Sequence, residues 1–155
     1  RQKAAKEEGG SMKGKVRALL TVVALAGGVA ACGSDSPTQP PVFVGPDELQ
    51  IIDVRVGTGA TLVAGQTITA NYALWLYDPS GTDFKGTSMG GGPLPPRQLT
   101  TANLIPGWVQ GLPGMKVGGI RRLIIPPSLA YGSTGQGDIP PNAWLVFDVE
   151  LIGIE

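Results

Sequence analysis

The 155-residue chain balances twelve Lys/Arg against twelve Asp/Glu, is 42% hydrophobic and holds 24 glycines and 14 prolines. This suits one turn-rich, β-built globular domain together with a non-globular part. There is no histidine and Cys32 is the single cysteine, which removes Ser/His/Asp and Cys/His nucleophile arrangements, the usual zinc ligand sets and any internal disulfide. No metal or cofactor is implied, and the chemistry must run without a histidine base.

Residues 1–11 precede the first plausible start, Met12, and read as an upstream remnant outside the fold. Residues 12–31 have the layout of a secretory signal: cationic Lys13, Lys15 and Arg17, then an apolar run from Ala18 to Ala31, then small residues before Cys32. The apolar run is shorter than the roughly 20 residues a membrane-spanning helix needs. "VAAC" resembles the lipobox of bacterial lipoproteins, which implies lipid attachment at Cys32 and a mature chain that starts there. That chain would carry six Lys/Arg and ten Asp/Glu, a net charge of 6 minus 10, or −4. With no basic stripe to neutralise phosphates, nucleic acid is not an expected partner. Residues 32–46, rich in Ser, Pro and Gly, read as a flexible tether, and the folded domain is expected over 47–155.

From Leu49, "LQIIDVRV" alternates Ile52, Val54 and Val56 with Asp53 and Arg55, the period of a half-buried strand. "TITANYALWLYD" predicts a longer strand with Ile68, Tyr72, Leu74 and Leu76 on one face. "PSG" at 79–81 is a turn, and "GTSMGGGPLPP" has too much glycine and proline for a central strand, so a flap-like loop is expected there. Pro106 suits the first position of a helix that Gly111, Pro113 and Gly114 stop after about two turns. "GGIRRLIIP" and "AWLVFDVELIGI" are further strands; the second puts Leu145, Phe147, Val149 and Leu151 inward. Arg121, Arg122, Asp148 and Glu150 read as solvated faces. The order implies an α+β domain, a curved antiparallel sheet wrapped around one short helix.

Residues 104–155, with "LIPGWVQGLPGM", "AYGSTGQGDIPP" and "LVFDVEL", resemble the C-terminal half of the FKBP family of peptidyl-prolyl cis-trans isomerases. Residues 49–103 match more loosely through "ITANYALWL" and Phe84. The resemblance implies a shallow apolar pocket over the helix. Its floor would be Trp108, its walls Tyr72, Phe84 and Phe147, and its rim Leu104, Ile105, Tyr131 and Ile139. The Tyr131 hydroxyl and the Ile105 amide would donate to substrate. Proline-containing polypeptides are the implied substrates, and the catalytically weak alternative is a module that only binds prolyl segments or a partner protein. In the lipoprotein context the domain would work in the periplasm or cell envelope, assisting the folding of exported proteins and held to the membrane by its N-terminal lipid.

The chain departs from the family where an aspartate usually follows the phenylalanine: Asp83 precedes Phe84 and Lys85 follows it. Straight counting also puts Pro95 and Arg97 at two aromatic wall positions. Both departures predict weaker binding of rapamycin-type macrolides than is usual in the family.

Overall fold

The computed structural model describes residues 39–155; the upstream remnant, the signal-like segment, Cys32 and the first part of the tether lie outside the described residues. The longest period-two run folds as expected. Strand β2 (Thr67–Tyr77) buries Ile68, Ala70, Leu74 and Leu76. It pairs antiparallel with β5 (Leu145–Ile154), whose Leu145, Phe147, Val149 and Leu151 face the same core. β4 (Ile120–Ile125) pairs with the other side of β5. β1 (Gln50–Arg55) pairs with β4, and β3 (Lys85–Gln98) with β2, giving the sheet order β1-β4-β5-β2-β3.

Two expectations about the edge strands need correction. β1 is not half-buried: it is an edge strand with one neighbour, and all six of its residues are exposed, Ile52 and Val54 included. The glycine- and proline-rich stretch is not a loop but the opposite edge strand, β3. Prolines are tolerated there because the missing N–H can face away from the ladder.

The single α-helix among the described residues, α1 (Pro106–Gly111), starts with Pro106 after an extended Ile105 and packs on the inner face of the sheet. Gly107 and Gly111 set how close it lies. A Cβ on Gly107 would stand 2.5 Å from Ile125 Cγ2, and one on Gly111 2.7 Å from Leu123 Cδ2. With glycine at both positions, the helix backbone rests directly on β4. At the helix end, Arg121 Nη1 donates to the carbonyls of Gly111 (2.9 Å), Leu112 (3.4 Å) and Pro113 (3.1 Å). The same guanidinium grips Asp53 through Nε at 2.7 Å and Nη2 at 3.2 Å.

The expected solvated faces are therefore largely internal. Arg121 and Arg122 are only 8% and 6% exposed. On the outer face Arg122 holds Asp148 at 2.7 and 2.9 Å, and Lys85 reaches the same carboxylate at 2.6 Å. Asp83 lies 3.0 Å from Arg122, and the Lys85 ammonium sits 4.1 Å from the centre of the Trp75 ring. Burial pushes the Asp148 carboxyl up, but its hydrogen bonds from Arg122 and Lys85 outweigh that and hold it below the ordinary range. A cross-strand pair, Arg122 opposite Asp148, explains why polar residues here are buried: each satisfies the other. Glu150 is the more open of the acidic pair and binds Arg55 at 2.8 Å.

Also on the outer face, Tyr77, Ile124 and Val146 form a second apolar cluster, covered by Phe43, Trp75 and Trp144. Trp144 Nε1 donates to the Pro46 carbonyl at 3.0 Å, and Gly45 packs so tightly that a Cβ would fall 2.5 Å from Trp144 Cδ1. The end of the expected tether, 43–46, is thus fastened to the domain as a strap. Phe43→Ala should lower unfolding stability by about 1–2 kcal/mol, since a fully buried phenylalanine is worth about 1.5–3 and this one is half-buried. The urea midpoint measures it; an unchanged midpoint would mean that the strap contributes nothing.

Candidate functional site

Three aromatic rings converge where α1 meets the middle of the sheet. Trp108, on the first turn of α1, is buried. Its ring meets Tyr72 edge to face at 5.7 Å and 80°, and Phe147 at 5.4 Å and 88°. Tyr72 and Phe147 lie 6.1 Å apart on the adjacent strands β2 and β5. Such edge-to-face contacts fix ring orientation and add about 0.5–1.5 kcal/mol each beyond area burial. The Trp108 indole N–H is fully buried and has no hydrogen-bond acceptor among the described residues. Above this floor opens a cavity of about 500 Å³.

Of the site residues expected from sequence, Tyr72, Leu104, Ile105, Trp108, Tyr131 and Phe147 line this cup together. Phe84 and Ile139 do not. Asp83 and Phe84 both take left-handed backbone (φ 60° and 63°), which carries the Phe84 ring out to stack on Tyr77 at 5.9 Å and 12°. Phe84 therefore lies against Tyr77, away from the cup, and is 41% exposed. Ile139 is half-buried against the core. Its backbone closes the Tyr131 loop, exchanging hydrogen bonds with Gln136 at 2.9 and 3.0 Å.

The missed lining residues are Leu74, Leu94, Thr101, Asn103 and Pro106. Leu74 shares a strand face with Tyr72, so alternation alone could have found it. Leu94 is hidden by a bulge. Ile68 pairs with Arg97 but Ala70 with Leu94, so β3 carries one extra residue across Pro95-Pro96. Neither Pro95 nor Arg97, where a straight count put the wall, lines the cavity, and Leu94, next to that bulge, does. The Pro-Pro pair was the available signal, because two successive residues without N–H cannot both serve a regular ladder.

Two of the lining residues, Tyr131 and Ile105, carry donors without a partner among the described residues. The loop after β4 turns at Pro127–Leu129, and Gly132 (φ +56°) returns it by donating to the Pro127 carbonyl at 2.9 Å. This leaves the Tyr131 hydroxyl on the rim with no partner among the described residues. Burial, and secondarily the nearby Tyr72, pushes the Tyr131 hydroxyl above its ordinary pKa, so it stays protonated and able to donate at neutral pH. The Ile105 carbonyl accepts from Trp108 and Val109 at 3.0 and 3.4 Å, while its N–H is unpaired among the described residues. Among the described residues no carboxylate or cation lines the cup. Such a site can desolvate and orient a neutral group, and it has no acid–base pair with which to move a proton.

Residues 59–152 match the sequence profile of the FKBP-type peptidyl-prolyl cis-trans isomerases. The chain is 39% identical over 114 residues to the chloroplastic peptidyl-prolyl cis-trans isomerase FKBP16-4 of Arabidopsis thaliana, covering 71% of this chain and 50% of that protein. It thus spans half the length of that relative. It is 40% identical over 111 residues to the FK506-binding protein of Streptomyces anulatus, covering 70% of this chain and 88% of that one. The crystal structure of AtFKBP13 superposes with a TM-score of 0.59 at 36% identity, over 72% of this chain and 97% of that chain.

Because Leu94 and not Phe84 borders the cup, Phe84→Ala should leave the affinity of any cup ligand within about twofold, its cost being the lost stack on Tyr77, about 0.5–1.5 kcal/mol. Leu94→Ala should weaken the same ligand by about 1–2 kcal/mol of lost apolar contact. Titration calorimetry on the two variants checks the order; a larger affinity loss from Phe84→Ala would put that ring back on the wall.

Proposed function

The chain belongs to the FKBP-type peptidyl-prolyl cis-trans isomerase family, and we propose that it catalyses cis-trans isomerisation of X-Pro bonds in polypeptides, chiefly by desolvating the prolyl amide. The observation that carries this reading is the uncharged cup floored by Trp108, Tyr72 and Phe147. Amide resonance sets a rotation barrier of about 18–20 kcal/mol. The twisted amide at its top has lost that resonance and is less polar than the planar ground state. Transfer of the prolyl segment from water to an apolar cup therefore favours the twisted form over the planar one, the condition for acceleration. Tyr131 Oη and the Ile105 N–H hold substrate carbonyls so that the ring reaches the floor. No proton moves and no bond breaks.

A protease-coupled assay on proline tetrapeptides should show acceleration at micromolar protein; its absence would favour a module that only binds. In that assay Trp108→Ala should lose more turnover than Tyr131→Phe does, since the indole supplies the desolvating floor, and it should also cost about 3–5 kcal/mol of folding stability, as large truncations in packed sites do. Tyr131→Phe, which removes one neutral hydrogen bond, should lose about 0.5–1.5 kcal/mol of transition-state stabilisation. If Tyr131→Phe abolishes turnover while circular dichroism shows the fold intact, desolvation is not the mechanism.

In the same reading the domain serves exported proteins from the periplasm or cell envelope, where uncatalysed X-Pro bonds equilibrate over tens to hundreds of seconds. It is held to a bacterial membrane by lipid on Cys32. Support comes from the cationic, apolar and small-residue succession over 12–31 and its ending at the single cysteine. Macrolides of the rapamycin type bind weakly, because Lys85 is turned to Asp148 and Asp83 to Arg122, and no carboxylate among the described residues borders the cup to accept a ligand hydroxyl. Cys32→Ser should move the protein from the membrane fraction to the soluble fraction on cell fractionation, and retention in the membrane would contradict the lipid assignment.

A further inference from the structure

The rim of the cup carries one polar side chain whose own bonding leaves a single function over. Asn103 closes the turn that leads into α1: its N–H donates to the Thr100 carbonyl at 3.0 Å, and Leu104 donates to the same carbonyl at 3.0 Å. Its side-chain Nδ2 donates to Thr100 Oγ1 at 3.0 Å. That bond fixes the amide plane and leaves Oδ1 with no partner among the described residues, on a side chain that lines the cavity. Two residues further on, Ile105 offers the unpaired N–H described above. The rim thus carries an acceptor and a donor two residues apart in the chain, both on residues that line the cavity and both without partners among the described residues.

An extended peptide residue has the complementary pair, since its N–H and C=O point to the same side and engage one partner together, as in an antiparallel ladder. Proline cannot make this two-point contact, because it has no N–H. We infer that Asn103 Oδ1 accepts the backbone N–H of a residue flanking the substrate proline while Ile105 N–H holds that residue's carbonyl, so that Asn103 selects substrates carrying a free amide beside the proline and disfavours proline runs. The inference rests on the isomerase reading and adds to it a specificity-determining residue. An unpaired amide facing a site built to accept it, or the reverse, is the kind of mismatch that discriminates most strongly between near-identical ligands.

The test uses Ala-Leu-Pro-Phe and two ester analogues in which the N–H before or after the proline is replaced by oxygen, with exchange rates read by NMR and affinities by calorimetry. For the wild-type protein one of the two esters should have a kcat/KM about two- to tenfold below the amide, the worth of one neutral hydrogen bond. Asn103→Leu should abolish that difference, treating ester and amide alike, and Asn103→Asp, which keeps an oxygen acceptor, should preserve it. The inference is overturned if neither ester differs from the amide, if the difference survives in Asn103→Leu, or if Asn103→Asp loses it. Absence of turnover with every peptide would strike the isomerase reading instead, and the calorimetric amide–ester difference would then still decide the role of Asn103.

Discussion

The arrangement depends on one buried cation. Arg121 points to the helix side of the sheet, where a charge without partners would cost several kcal/mol. It is satisfied from two directions, by the Asp53 carboxylate on β1 and by the last carbonyls of α1. Those carbonyls have no intrahelical partners and form the negative end of the helix dipole, so they suit a cation. A helix of barely two turns would not persist in water on its own. Here its C-terminus is fixed by Arg121 and its underside by Gly107 and Gly111 resting on Ile125 and Leu123. With position and rotation both set, Trp108 has one place to go, between Tyr72 and Phe147.

A second set of charges works on the other face to a different end. Asp148 gathers Arg122 and Lys85, and Arg122 also holds Asp83. These contacts anchor the turn that begins β3 and keep two consecutive residues in the left-handed region, with Phe84 directed onto Tyr77. The cost of such backbone, on the order of 1–3 kcal/mol per residue, requires surroundings that over-determine it. The consequence for the cup is that Asp83, Lys85, Arg122 and Asp148 are engaged with one another on the outer face. The lining is left neutral, with only hydroxyl and amide groups at its rim.

How much of this was legible in the sequence follows from which interactions are local. β2 and β5 were readable because each buries one face, so that alternation along the chain reports burial directly. The helix start was readable from Pro106, whose fixed φ is a property of one residue. Trp108 and Tyr131 came from the FKBP resemblance of residues 104–155. The failures are all non-local. Arg121 and Arg122 look like surface residues until their partners, 68 and 26 positions away, are known. β1 alternates correctly yet is exposed, because alternation does not tell an edge from a centre. β3 carries glycine and proline that argue against a strand unless the outer edge is available to it. Leu94 reaches the cup through a bulge, and a bulge shifts every later residue of a straight count by one.

The two sheet edges differ in a way that bears on how the cup meets a peptide. An unprotected edge offers a row of N–H and C=O groups to any extended chain. On β3 that row is interrupted by Pro93, Pro95 and Pro96, all exposed. β3 is also the edge that borders the cup through Leu94. A polypeptide arriving there cannot extend the sheet as a sixth strand, and it must engage through its side chain in the cup and a few rim contacts. That suits an isomerase. Strand addition would clamp the backbone in extended form along its length, whereas rotation about one X-Pro bond requires the chain on at least one side of it to swing. A neutral cup that grips the ring, with a rim that makes only a few backbone contacts, leaves that freedom in place.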